Sequence, residues 1–495
     1  MNRTSAIALA ILTLAAGATW GAAPARATPA PATSVQAFEN QVQGTVFDLT
    51  PEDVVPTGSG DLAVGSTESP QSVLVNWLLR LDATGRPRWA EELGCLDLPP
   101  GDYTIGVSAA PTADGGTVLA GGTVGCGAPS TTQRALVERL DPSGQVSWAR
   151  NYEAGPDGSA LTQIRQTADG GFVAAGNATD AQGNTGGLVL RLDPSGTIVW
   201  QRTFGPSGSD QAYLYGVEPT ADGGAIAVGN LSQPGPNGLP ITSVLVLKLD
   251  AAGNLQWRRT LNSVDGGGSL TAQEQVHSVL QAPDGGYLVA GYWLSSPGPG
   301  QCCTGALLLK LDPSGRLSWQ RAYSGGLYCV GGECDPVGAF VSSMRREPNG
   351  QYLLAGDGDV ELIGGGTQLV PWMAEVDGRG DLLWQQLYYE VYAPTGRPLS
   401  EYFASAATAR GSGAVAVGYT EDYVSQHGEL YVVRTDASGA VPGCGDVSPA
   451  PALTPIDPGL VPIPATLPVG VAVASGAAAP VTTMPTSVLD QHECG

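Results

Sequence analysis

Asp357-Gly358-Asp359-Val360-Glu361, which reads as a loop after the apolar run that ends at Gly356, places three carboxylates at alternate positions. Hard cations take clustered carboxylate oxygens, so Asp357, Asp359 and Glu361 form a candidate calcium site. A later stretch adds Glu421, Asp422 and His427, an imidazole among carboxylates and so a candidate for acid–base work. Aromatic residues thicken in the same part of the chain, at Tyr292-Trp293, Tyr388-Tyr389, Tyr392, Tyr402, Tyr419 and Tyr423. Exposed rings of this kind stack on sugars or build protein-binding patches. The candidate ligand-binding set is therefore Tyr292, Trp293, Asp357, Asp359, Glu361, Tyr402, Asp422 and His427. The chain has no Gly-x-Ser-x-Gly, no His-Glu-x-x-His, no phosphate loop and no haem-attachment motif, which are the short signals of common chemistries. Its three histidines, His277, His427 and His492, are few for a histidine-based active site, and no catalytic residue is assigned.

What would position these residues is a repeat. Asp-x-x-Gly-x-x-x-Trp occurs at Asp82/Gly85/Trp89, Asp141/Gly144/Trp148, Asp193/Gly196/Trp200, Asp250/Gly253/Trp257, Asp312/Gly315/Trp319 and Asp377/Gly380/Trp384, and a further copy at Asp436/Gly439 lacks the tryptophan. A second signature, Asp-Gly-Gly followed by four mostly apolar residues and a glycine, ends at Gly65, Gly121, Gly176, Gly229, Gly291, Gly356 and Gly418. Strict alternation of two signatures marks a repeat architecture. Short apolar runs such as Phe172 to Ala175 and Leu188 to Leu192 read as strands buried on both faces. The Asp-Pro-Ser-Gly and Asp-Gly-Gly strings suit tight hairpins. Strands A to D follow, with the Asp-Gly-Gly turn joining A to B and the Asp-x-x-Gly turn joining C to D.

The predicted fold is all-β, a seven-bladed β-propeller of four-stranded antiparallel blades over residues 35–445. Trp89, Trp148, Trp200, Trp257, Trp319 and Trp384 fall on strand D and are expected to wedge between blades. A cation stands two residues before the turn aspartate in Arg80, Arg139, Arg191, Lys248, Lys310 and Arg434, on the same face as that aspartate, which predicts an ion pair between the two. An orphan strand, Ala37 to Val42, precedes the first unit, while the last unit breaks down at Pro442 and Gly443. The N-terminal strand is therefore predicted to complete the last blade and remove the open edges.

Met1-Asn2-Arg3, the apolar run from Ala6 to Ala18 and Ala25-Arg26-Ala27 have the order of a secretory signal peptide. Residues 1–27 are expected to be cleaved and the protein exported to the periplasm or outside the cell. The apolar run is roughly 13 residues, short of the roughly 20 a membrane helix needs, and Val469 to Ala479 is broken by Gly470, Ser475 and Gly476, so no membrane span is expected. The net charge of −23 disfavours nucleic acid and anionic lipid as partners. Eight cysteines fit an oxidising compartment. Cys95 with Cys126, and Cys302 and Cys303 with Cys329 and Cys334, are candidate loop staples, with zinc binding as the competing reading for the latter four. Cys444 and Cys494 bracket a Pro/Ala-rich tail, residues 446–495, whose composition predicts an extended or disordered segment.

Leu-Asp-Ala-Thr-Gly-x-x-x-Trp at Leu81 to Trp89, echoed as Leu-Asp-Pro-Ser-Gly-x-x-x-Trp, resembles the tryptophan-docking repeat of pyrroloquinoline-quinone-type propellers. The whole two-signature unit is more similar to the bacterial repeats described as delta-60 or SBBP-type, over about residues 35–445. The resemblance implies the fold. It implies no single activity, because such propellers include quinoprotein dehydrogenases, assembly scaffolds and secreted proteins of unassigned role. A Cys302–Cys303 bridge would match the vicinal disulfide of quinoprotein alcohol dehydrogenases. The hairpins are short and uniform and the D–A and B–C loops long and varied, so recognition is expected on the long-loop face. The expected function is a non-enzymatic binding or scaffold propeller, a monomeric ring taking a protein or carbohydrate ligand there. The alternative is a quinoprotein-like or metal-assisted enzyme using the same face.

Overall fold

A computed structural model describes residues 34–42, 45–47 and most of 49–441, with short strands between 447 and 494. Side chains are described only within 50–441, and the segments 95–101, 296–303, 362–366, 422–427 and 442–446 lie outside the described residues. Among the described residues there is no helix. Strands pair antiparallel in groups of four, in chain order. Unit three shows the pattern: Gly158–Gln166, Phe172–Thr179, Thr185–Leu192 and Ile198–Phe204 are strands A to D, joined by the hairpins the two signatures predict. The last group takes A to C from Glu401–Thr408, Ala414–Glu421 and Gly428–Arg434. Its fourth strand is the N-terminal Ser34–Val42, which pairs with Gly428–Arg434.

Strands B and C are buried along nearly their whole length, as in Thr117–Val124, because each sheet is covered by its neighbours on both faces. The apolar clusters accordingly span two units. Val173 and Val189 of unit three pack with Ala227, Leu245 and Leu247 of unit four, each valine and leucine stabilising the fold by about 1.5–3 kcal/mol. The inner strands A converge on one central cavity. The arrangement is of the propeller type.

The tryptophans explain why one signature holds both a glycine and an indole. Trp200 packs under the C–D turn of the next unit, where a Cβ on Gly253 would lie 2.6 Å from its ring. Gly253 also has a φ of 77°, so only glycine meets both demands. Trp384 sits likewise under Gly439. The string therefore encodes a joint between neighbours, its glycine receiving one indole and its tryptophan supplying the next.

The repeated cations correct an expectation. Arg139, Arg191, Lys248 and Lys310 pair not with the C–D turn aspartate but with the aspartate of their own A–B hairpin, as in Arg191–Asp169 at 2.5 Å, Lys248–Asp222 at 2.8 Å and Lys310–Asp284 at 2.6 Å. The C–D aspartate is already engaged by its own turn: Asp193 accepts from the Ser195 and Thr197 backbone N–H groups at 2.8 Å each. Strand C runs beside strand B, which brings its cation to the A–B turn. Unit six inverts the pair, with Asn349 donating to Glu375 at 2.9 Å. Arg434 of the last unit pairs with Asp61 of the first.

The C-terminal segment runs as a series of short strands. Short strands at Val447–Pro449, Thr454–Ile456, Leu460–Pro462, Val469–Gly470 and Gly476–Ala478 pair in turn with strand D of units six, five, four, three and two. The final strand, Thr482–Cys494, pairs with strand D of unit one, Pro87–Gly94, and with Ser34–Val42. Low-complexity sequence can do this because an outer strand edge offers backbone donors and acceptors to any extended chain.

Candidate functional site

Each inner strand carries one residue too many. Against strand B its register slips at Pro51/Asp53, Gly106/Ser108, Leu161/Gln163, Leu214/Gly216, Val276/Ser278, Val341/Ser343 and Phe403/Ser405. The residues left out of the ladder are Glu52, Val107, Thr162, Tyr215, His277, Ser342 and Ala404. A β-bulge re-aims its extra side chain, and all of these line the central cavity, of about 350 Å³. Near each bulge stands the last glycine of the second signature. A Cβ on Gly356 would lie 2.9 Å from the Phe340 carbonyl carbon, so the glycine is what lets the bulged backbone close on its partner.

The cavity collects charge. Asp53 is buried; its carboxylate accepts from the Ser405 hydroxyl at 2.6 Å and the Ala109 N–H at 3.0 Å, and pairs with Arg345 at 3.1 Å. Those partners belong to units seven, two and six, so one carboxylate ties four inner strands together. Beside it, burial above all and then the charge of Asp53 push Glu52 up to about 8, opposed by a hydrogen bond with Ser66. Glu52 is therefore a neutral, proton-donating acid at physiological pH. Three residues beyond two of the bulges stand Arg165 and Glu218, 4.0 Å apart with 14% and 24% of their side-chain surface exposed. Burial pushes Glu218 up to about 7 against the pull of Arg165 and Arg345. Burial and then the like charge of Arg345 bring Arg165 down to about 10, with Asp53 and Glu218 opposing.

An aromatic arc follows the same wall. The His277 ring lies 5.2 Å from Tyr215 and 5.8 Å from Tyr292, stacked on the latter, and Tyr292 meets Phe340 edge-on at 5.1 Å. Burial lowers His277 to about 4, which keeps it a neutral imidazole able to accept a proton. Tyr402 is 36% exposed and stacks on Tyr419 at 5.5 Å. Burial, then Glu52, Tyr419 and Asp357, raise it to about 12. A neutral acid, a neutral imidazole and paired guanidiniums around one cavity can donate a proton, accept one and hold an anion.

Of the residues singled out from sequence, Tyr292, Tyr402 and Asp357 reach this neighbourhood. Asp357 is not in a loop: it lies on strand Tyr352–Glu361 and accepts from the Phe403 N–H at 3.2 Å, bridging units. Asn177 accepts from the Leu214 N–H at 3.0 Å in the same way one interface earlier. Asp359 and Glu361 continue the strand, their side chains outside the described residues. Trp293 is a correction. Alternation turns it away from Tyr292, and at 8% exposure it packs with Val244, Leu261 and Leu307 as core. Asp422 and His427 lie outside the described residues. Among the described residues no three His, Cys, Asp or Glu side chains group to hold a metal. Cys126 is buried and disulfide-bonded; Cys95, Cys302, Cys303 and Cys444 lie outside the described residues, as do the side chains of Cys329, Cys334 and Cys494.

Sequence reasoning missed Glu52, Asp53, Arg165, Tyr215, Glu218, His277 and Arg345. A signal was present: Val107, Thr162, Tyr215, His277, Ser342 and Ala404 each stand 14 residues before the signature glycine of their unit. One column of the repeat thus holds small, polar and aromatic residues in place of a consensus.

No family model and no curated protein matches the sequence. Similar solved structures include the polysaccharide lyase Uly1 (11% identity, TM-score 0.35, covering 82% of this chain and 98% of that one). A xylan β-1,4-xylosidase from Bacillus halodurans C-125 (10%, TM-score 0.27, 80% and 96%) and a GH43 β-1,3-galactosidase (10%, TM-score 0.27, 82% and 95%) are also similar. All three are enzymes, and on that finding the expectation of a non-enzymatic binding or scaffold protein is corrected and dropped. Likeness this distant brings no substrate, mechanism or catalytic residue to this chain.

Proposed function

We propose that this protein is an exported acid–base enzyme whose central cavity cleaves a glycosidic bond in a carbohydrate substrate. The observation that carries the reading is Glu52, a carboxylic acid kept protonated to about pH 8 and aimed by a bulge into a cavity of about 350 Å³. A neutral carboxylic acid is what the departing oxygen of a glycoside needs as proton donor. As the C–O bond breaks and its oxygen takes the Glu52 proton, neutral His277, braced by Tyr215 and Tyr292, takes the proton given up by the water that adds to the anomeric carbon or, in an elimination, by the sugar carbon that forms the new double bond. Hydroxyls and amides at Ser108, Thr162, Gln163 and Ser405 line the wall and match a hydroxyl-rich ligand. The stacked Tyr402–Tyr419 pair beside Glu52 offers an apolar face to a sugar ring.

The scaffold belongs to the same proposal: seven units of the delta-60 or SBBP type, closed into a seven-bladed ring, with residues 1–27 as the export signal. Arg434–Asp61, Ser405–Asp53 and the pairing of Ser34–Val42 with Gly428–Arg434, all joining the last unit or the N-terminus to the first or last unit, support closure.

The test is release of new reducing ends, or of the ultraviolet-absorbing double bond left by elimination, from a panel of neutral and acidic polysaccharides. Glu52→Gln should lower kcat by about 10²–10⁴ while melting as wild type does. The wild-type rate should fall as pH rises through about 8. A variant as active as wild type, or a wild type inert on the whole panel, refutes the reading.

A further inference from the structure

Resting on that reading and narrowing it, we infer that the substrate is an acidic sugar whose carboxylate seats between Arg165 and Arg345. The two guanidiniums come from units three and six and stand at the same level of the channel, each three residues beyond its bulge, at Thr162 and Ser342. Arg345 lines the cavity, and Arg165 lies within reach of its charge. Their partners leave them only partly engaged. Arg345 meets Asp53 at 3.1 Å, the Met344 carbonyl at 3.3 Å and the Ser405 hydroxyl at 3.4 Å. Arg165 donates to the Ile164 carbonyl at 2.8 Å and reaches Glu218 only at 4.0 Å. With Glu218 protonated, Asp53 is the one carboxylate that faces both guanidiniums, so the group keeps a net positive charge that a second carboxylate can balance, and the N–H fork of a guanidinium matches the two oxygens of a carboxylate.

The other groups facing the pair set its response to pH. Unit one contributes Glu52 and Asp53, unit four Tyr215 and Glu218, and unit five His277; units two and seven present Val107, Ser108, Ala404 and Ser405, none of which titrates. With Glu52 and Glu218 protonated, two guanidiniums face the single Asp53 carboxylate. Above pH 8 both glutamates are ionised and three carboxylates face the two guanidiniums. Affinity for an acidic sugar therefore falls as pH rises, while affinity for a neutral sugar does not.

Calorimetric titration of the full chain with a galacturonate oligosaccharide and with its neutral galactose counterpart, at about pH 6 and about pH 9, separates the possibilities. The acidic ligand should bind at least about tenfold more tightly at the lower pH and lose that advantage at the higher. Arg165→Gln, checked by its melting curve, should abolish the preference while retaining the neutral ligand. Equal affinities in the wild type, or a preference kept by the variant, overturn this inference and leave the carbohydrate reading intact. Failure of both sugars to bind overturns the carbohydrate reading, and this inference with it. The wild-type comparison decides alone if the variant does not fold.

Discussion

Carboxylates behave oppositely at the hairpins and at the hub. Asp141 and Asp193, at the C–D turns, are held below the usual carboxylate range, chiefly by the Ser143 and Ser195 hydroxyls and then by backbone N–H groups of their own turns. Glu52 and Glu218, on the inner strands, are pushed up to about 8 and 7, chiefly by burial. One side-chain chemistry thus closes turns where solvent and N–H donors stabilise its charge, and becomes a proton donor where neither does. The contrast separates acids that build the repeat from acids that the repeat holds in an unfavourable place. Such strain is where function is to be sought.

Deletion of residues 28–42 should have the largest effect. It removes the strand that pairs with both Gly428–Arg434 and Thr482–Cys494, and should cost a large part of the roughly 5–15 kcal/mol that keeps a domain folded. Urea unfolding measures it. A truncated protein as stable as the intact one would show that the rim does not depend on this strand.

The pH dependence of stability should be intermediate in size and should split by region. Between about pH 4.5 and 8 the folded hub keeps protons on Glu52 and Glu218 that the unfolded chain has released, so stability falls as pH rises through this window. A fully buried group of this kind contributes about 1.4 kcal/mol per pH unit, and less where channel water reaches it. Glu138, fully buried with Asn76 as its partner at 2.7 Å and raised to about 8, adds to the same trend. The hairpin aspartates act in the opposite sense and only in acid, where stability is lost as they protonate below their usual range. Glu138→Gln should flatten the loss seen by thermal melting above about pH 5; an unchanged slope would mean that burial is not what holds its proton.

The smallest effect belongs to the inverted pair. Asn349→Asp with Glu375→Lys restores in unit six the pair that Asp284 and Lys310 form in unit five. Because the aspartate of such pairs is largely exposed, at 63% in Asp284, the double variant should lie within about 1 kcal/mol of wild type. Each single variant should be worse, since Asn349→Asp alone sets two carboxylates side by side and Glu375→Lys alone sets an ammonium beside an amide that cannot balance its charge. Additive singles in a double-mutant cycle would deny the pairing.

The repeat, its hairpins and the register of its wedges follow from local sequence, because a turn glycine with positive φ and an indole four residues later report their own surroundings. Asp193 and Gly196 specify a turn wherever the chain places them. The orphan strand was legible for a similar reason: it reads as a strand D with no strands A to C ahead of it. The hub was not legible, because its chemistry is divided among strands far apart in sequence. Asp53 meets Ser405 across 352 positions and Arg345 across 292, and nothing near any of the three announces the others. His277 looked like a stray histidine until a bulge turned it into the cavity between tyrosines from two other strands. The cation partners also needed the sheet, since spacing along strand C could not show that strand B carries its turn aspartate alongside. The sequence determined a unit and its repetition. Only the assembled sheets decided which side chains face the central cavity, because burial and convergence are properties of the whole.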